Sequence, residues 1–164
     1  MTSMVVFCTA LFVLLSAAYA HVSITPKEVP AGKSSIIQLR VSHDCGDETI
    51  GTTNFTVVLP SKMARVTVEL DTAWNILIHK HAQDEDYVQS VTFLGFLPDG
   101  FYKLFAMRIR FPDEVGQKLY FRSYQDCHNQ GTSLAWDEIP CDHNPDPRYP
   151  APHVTVVNAT ESGH

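Results

Sequence analysis

"SIIQLRVSH", residues 35–43, alternates apolar and polar side chains and is rich in β-branched residues. A two-residue period of this kind marks a strand with one face turned toward a core. The same pattern recurs along the chain in "TNFTVVLP" (53–60), "ARVTVEL" (64–70), "SVTFLGF" (90–96), "YKLFAMRIRFP" (102–112), "KLYFRSYQD" (118–126) and "HVTVV" (153–157). Turn signals separate these runs: "PAGK", "CGDETIG", "LPDG", "PDEVG" and "HNQG". No long stretch carries a 3.6-residue apolar period. "EVGQKLYF" (114–121) suits a strand better than a helix, given its aromatics and the proline before it. About seven short strands at this spacing predict an all-β chain folded as an antiparallel β-sandwich. The proline-rich stretch "CDHNPDPRYPAP" (141–152) is expected to be irregular.

Residues 1–20 read as a signal peptide. An apolar run from Met4 to about Leu15 leads into Ala18-Tyr19-Ala20, the small-x-small pattern of a cleavage site. The run is short for a membrane span of about 20 residues. Cleavage after Ala20 leaves one domain, 21–157, and a loose tail, 158–164, in a secreted, extracellular protein with no stable membrane insertion. The net charge is −6 and no basic stripe is present, which argues against nucleic acid as a partner.

Cys8 leaves with the signal, so Cys45, Cys127 and Cys141 remain, an odd number in a compartment that permits disulfides. The pair close in sequence, Cys127–Cys141, is the expected disulfide, with a Cys45 bridge to either as the alternative. Asn54-Phe55-Thr56 and Asn158-Ala159-Thr160 fit the N-glycosylation pattern.

The cut would make His21 the first residue. The free amine and ring Nδ1 of a terminal histidine can chelate one metal ion together. The amine titrates near a pKa of about 8, so few protons need displacing at neutral pH. Two nitrogens with a fixed bite suit copper(II), which also heads the divalent affinity series. "HVSITP" begins strand-like at once, which would hold the amine in place. Asp44, Asp47, Glu48 and His43, in the loop "SHDCGDETIG", are candidates to complete the site. Cys45 would serve as a soft ligand unless it is paired. His79 and His81, His128, His143 and His153 are further rings. Trp136, in "GTSLAWDEIP", is a candidate apolar wall for the site, whereas Trp74 reads as packing.

In order, "HVSITPKEVPAG", "LRVSHDCG", "TTNFTVVLP", "FLGFLPDGFYKLFAMRIRFP", "GQKLYFRSYQDC", "LAWDEIP" and "PAPHVTVV" resemble the YcnI-like copper-binding domain family. The resemblance implies an immunoglobulin-like or cupredoxin-like β-sandwich. It also implies a mono-histidine brace for copper(II), supported by a carboxylate and a nearby tryptophan. Carried over, the brace is His21 and the tryptophan is Trp136. Asp44 is the first choice of carboxylate and Asp47 or Glu48 the next, because the family often has an asparagine-glutamate pair where this chain has His43-Asp44. The chain departs from the family in its cysteines and in lacking a C-terminal membrane helix. A copper carrier or homeostasis role follows, with the copper ion and another extracellular copper protein as partners.

Two other readings compete. One is a lytic polysaccharide monooxygenase acting on glycan, with a second histidine ring (His128 or His153) in the copper plane and an aromatic such as Phe121, Tyr124 or Tyr149. The other is a non-metal adhesion or structural sandwich.

Overall fold

A computed structural model describes residues 21–42, 45, 51–61, 63–127 and 133–159. The predicted signal segment, 1–20, lies outside them. The strands are β1 (Ser23–Thr25), β2 (Glu28–Pro30), β3 (Ser34–Val41), β4 (Thr52–Val58), β5 (Ala64–Val68), β6 (Asn75–His81), β7 (Asp84–Leu97), β8 (Lys103–Arg110), β9 (Lys118–Tyr120), β10 (Arg122–Cys127), β11 (Ser133–Trp136) and β12 (His153–Val157). The described residues contain no helix, and so none long and apolar enough to cross a membrane.

The main ladder runs β1-β3-β8-β5-β7-β4-β10-β11, with β6 on β7. The β5–β7 link is a single residue pair, Ala64 with Tyr87. The ladder therefore curls into two layers, β1-β3-β8-β5 and β6-β7-β4-β10-β11. A small third sheet, β2-β12-β9, joins the C-terminal strand in parallel to β2 and antiparallel to β9.

The alternation read in residues 35–43 is the alternation of burial. Ile37, Leu39 and Val41 are fully buried, while Ile36 and Arg40 face out. Opposite them, Phe105, Met107 and Ile109 of β8 point inward. Phe105 joins the two layers: its ring centroid lies 4.4 Å from that of Phe93 on β7 and 5.0 Å from that of Phe55 on β4. Each such side chain contributes roughly 1.5–3 kcal/mol by leaving water. Trp74 packs edge-on to Phe105 at 5.1 Å, as its packing role predicts. Gly95 makes room for it, since a Cβ there would lie 2.4 Å from the indole.

Two local features differ from the sequence reading. "KLYFRSYQD" is not one strand but β9 and β10, in different sheets. The break is Phe121, fully buried, whose backbone N–H donates to Pro152 O at 2.8 Å. β5 carries a register shift between Ala64 and Thr67, with Arg65 at φ 52°, a β-bulge that hydrophobic alternation does not reveal. The 141–152 stretch is irregular, as read, but tied down by backbone bonds: Cys141 and Asn144 pair with each other, and Glu138 bridges to the 149–151 segment.

The disulfide is Cys45–Cys127, with the Cα atoms 5.5 Å apart, and corrects the expected Cys127–Cys141 pair. Strand pairing decides it. Cys127 sits opposite Thr52 at the start of β4, and Cys45 packs against the same Thr52, its sulfur 3.9 Å from Oγ1. Cys141 is free and exposed on the Cys141–Asn144 turn.

Candidate metal centre

His21 and Trp136 are brought together by the closure of the sandwich. β1 and β11 are the two ends of the ladder, one at the edge of each layer. His21 enters β1 and Trp136 closes β11. Their ring centroids lie 5.6 Å apart in an edge-on arrangement at 71°. Val22 and Ile24 anchor β1 in the core, so His21, which is exposed, stands on a fixed strand.

Trp136 is fully buried. It faces Ser123 of β10 across the pair, and that residue is also fully buried. Tyr149 packs edge-on against its other side at 5.3 Å. Tyr149 is held in turn by its backbone N–H, which donates to Glu138 Oε2 at 2.7 Å, and by the Arg148 guanidinium over its ring. Of the aromatics the sequence offered for such a site, Phe121, Tyr124 and Tyr149, it is Tyr149 whose ring packs on Trp136.

One polar atom in this wall is unsatisfied. Trp136 Nε1 has no hydrogen-bond acceptor among the described residues. A buried donor without a partner costs about 1–3 kcal/mol, so it calls for an explanation. A metal-bound water or a carboxylate ligand within reach of Nε1 would supply one.

The predicted loop ligands His43, Asp44, Asp47 and Glu48 lie outside the described residues. Cys45 does lie within them, and its disulfide removes it as a thiolate ligand. A buried polar cluster holds this corner. Gln125 Nε2 donates to Thr52 Oγ1 at 2.7 Å, and both residues are almost fully buried beside the disulfide. Among the described residues, no three His, Cys, Asp or Glu side chains converge as a metal site.

Among the described residues, the other histidines have surroundings of their own. His79 and His81 are on β6, four strand positions from β11, roughly 19 Å at 4.8 Å per strand. His153 packs on Tyr120 at 5.1 Å, and burial, then Lys118 and Lys27, hold its imidazole below the ordinary histidine value. His143 is exposed on the 141–144 turn, and His128 lies outside the described residues. Tyr124 donates its hydroxyl to Asp137 Oδ2 at 3.2 Å; burial first, and then that carboxylate, raise its pKa.

The glycosylation candidates are unlike each other. Asn54 lies within β4, between β7 and β10, with its Nδ2 donating to Asp126 Oδ2 at 2.9 Å and its Oδ1 accepting from Thr56. Asn158 is exposed just past β12.

An uncharacterized protein from Nocardia farcinica with an immunoglobulin-like fold superposes with a TM-score of 0.72 at 24% identity, covering 85% of this chain and 99% of that one. The fold is thus immunoglobulin-like. More distant similarities are to BslA, a bacterial hydrophobin (TM-score 0.47, 14% identity, 85% of this chain and 96% of that one). Another is to a non-cellulosomal cohesin from the archaeon Archaeoglobus fulgidus (0.43, 11%, 87% and 92%). No curated protein matches the chain. The domain of unknown function DUF1775, the family to which the YcnI-like proteins belong, matches residues 21–156, and the chain is a member of that family.

Proposed function

We propose that the mature chain, beginning at His21, is an extracellular copper(II)-binding protein with a carrier or homeostasis role. The observation that carries this reading is the His21–Trp136 contact at the meeting of the two edge strands. An exposed histidine there stands against a fully buried indole whose N–H has no acceptor among the described residues. The amine and ring of His21 would hold the ion. A carboxylate, Asp44 first and Asp47 or Glu48 next, would offset its charge, and Trp136 would wall off solvent. The copper ion itself and another extracellular copper protein are the partners. His79 and His81, four strand positions from β11, lend no support to a two-histidine oxidative site.

The test compares two purified chains, one starting at His21 and one retaining Ala20, titrated with copper(II) under electron paramagnetic resonance. The first is expected to bind one ion with nitrogen hyperfine structure from amine and imidazole. The second is expected to lose the high-affinity signal. Equal affinity and spectra in the two chains would sink the terminal chelate.

Secretion fits a buried disulfide, which persists in oxidising compartments. Passed through a eukaryotic secretory pathway, the chain is expected to carry glycan on Asn158 and not on Asn54, whose amide is committed within the sheet. A glycosidase-sensitive mass shift should vanish in Asn158→Gln and persist in Asn54→Gln; the reverse pattern would refute the assignment.

A further inference from the structure

The outer face of the β1-β3-β8-β5 layer carries charge of the opposite sign to the chain as a whole. The net charge is −6, yet four of the six arginines, Arg40, Arg65, Arg108 and Arg110, lie on the strands of this layer and are exposed. None of the four makes an ion pair among the described residues. Three of them cluster. Arg108 and Arg110 project from the same side of β8, about 7 Å apart at 3.4 Å per residue. Arg65 sits at the β5 bulge, next to the Ala64–Arg110 pair. Guanidinium groups that outnumber the nearby carboxylates and form no ion pair with them are a site of attraction for an anionic partner.

Beside this cluster the face is hollowed. Ala106 stands opposite Gln38, and its short side chain leaves a recess of about 270 Å³ lined by Ile36, Gln38, Thr67, Glu69 and Arg108 among others. That is slightly below the size range of small-molecule pockets, room for a compact ring rather than a folded peptide. The lining has three chemistries side by side. Ile36, 60% exposed, offers an apolar platform. Gln38, Thr67 and Glu69 offer amide, hydroxyl and carboxylate partners for hydroxyl groups. Arg108 offers a planar fork for a carboxylate.

We propose that this face binds an acidic polysaccharide, a chain of uronic acid units. One sugar ring lies with its C–H face on Ile36 and its hydroxyls on Gln38, Thr67 and Glu69. The ring carboxylates pair with Arg108 and, further along the chain, with Arg110 and Arg65. A phosphate or sulfate ion would use the guanidinium groups but leave the apolar and hydroxyl-binding part of the recess idle. The surface lies on the outer side of a layer and needs no copper.

The test uses the copper-free mature chain in affinity electrophoresis through gels containing polygalacturonate at low salt. Fully methyl-esterified polygalacturonate supplies the neutral control, and duplex DNA and phosphatidylserine vesicles the other anions. Polygalacturonate is expected to retard the chain and the neutral polymer is not. Arg108→Ala/Arg110→Ala is expected to weaken retention roughly ten-fold, the loss of one or two charge-assisted bonds. Arg108→Lys/Arg110→Lys should keep part of it. Arg122→Ala, on β10 in the other layer, should change nothing. Thr67→Val removes a sugar contact without touching the charge and should also weaken retention, which keeps the proposal testable if the double variant folds poorly. Retention unchanged in Arg108→Ala/Arg110→Ala, or no retention of the native chain, would overturn the proposal. So would equal binding to DNA or vesicles, which would reduce the face to general anion attraction.

Discussion

Replacing Trp136 by alanine is expected to lower stability by about 3–5 kcal/mol, the range for removing a buried large aromatic. The residue is fully buried, faces Ser123 across β10–β11, and is flanked by His21 at 5.6 Å and Tyr149 at 5.3 Å. Its loss leaves a cavity where the two ends of the ladder meet, so neither edge strand has the ring it packs on. Against a total of roughly 5–15 kcal/mol for a domain, the change takes a large share. Chemical denaturation should therefore show a much lower midpoint with an unchanged slope. A midpoint within about 1 kcal/mol of the native chain would mean that the indole is not a keystone of this edge. Alanine cannot separate packing from a role toward copper, but phenylalanine can. Trp136→Phe keeps an aromatic ring and deletes only an N–H that has no acceptor among the described residues, with part of the volume. Removing an unsatisfied buried donor offsets some of the lost packing, so its stability should stay much closer to native. If Nε1 donates to a copper ligand, the paramagnetic resonance spectrum of copper-loaded Trp136→Phe should differ from native and its affinity should fall. An unchanged spectrum would confine Trp136 to packing.

The same residue marks where sequence reading stops. The strand pattern was legible because burial in a sandwich imposes a period of two, and 35–43 shows it in Ile37, Leu39 and Val41. The split of 118–126 was not legible. Phe121 continues an apparently regular alternation, and only its bond to Pro152 reveals that the chain changes sheets there. The bulge at Arg65 is hidden for a similar reason, since a left-handed arginine leaves no mark in composition. At the candidate site, His21 and Trp136 could each be picked out by residue type and position. That they touch is a property of ladder closure, which no local spacing encodes. The disulfide was misread because proximity along the chain was given more weight than pairing between distant strands. Which carboxylate of 44, 47 and 48 would complete the site is not written in the sequence either, since a turn-rich stretch such as "CGDETIG" carries no periodic rule to read.

Breaking the Cys45–Cys127 bridge is expected to be the other large effect. The bond closes a loop with a sequence separation of 82. The chain-entropy relation gives about 4.5 kcal/mol for a loop of that size, within a usual range of about 2–5 kcal/mol for a native disulfide. Both sulfurs are buried, so Cys45→Ser/Cys127→Ser also places two hydroxyls next to Gln125 and Thr52. That cluster can hydrogen-bond them, which limits the further cost. Cys141→Ser should leave the melting temperature unchanged, since that thiol is exposed and free. The contrast between the two variants tests the pairing directly: if Cys141→Ser were the destabilising one, the bridge would be Cys127–Cys141 after all. The copper reading adds a second consequence. Cys45 follows His43-Asp44 in the chain, so the bond ties the segment bearing the proposed carboxylate to the end of β10. At a temperature where the double serine variant is still folded, copper(II) should remain on the His21 amine and ring but bind more weakly, with fewer constraints on its oxygen ligand. Native-like affinity in that variant would move the carboxylate away from the 43–45 segment and favour Asp47, Glu48 or solvent as the oxygen donor.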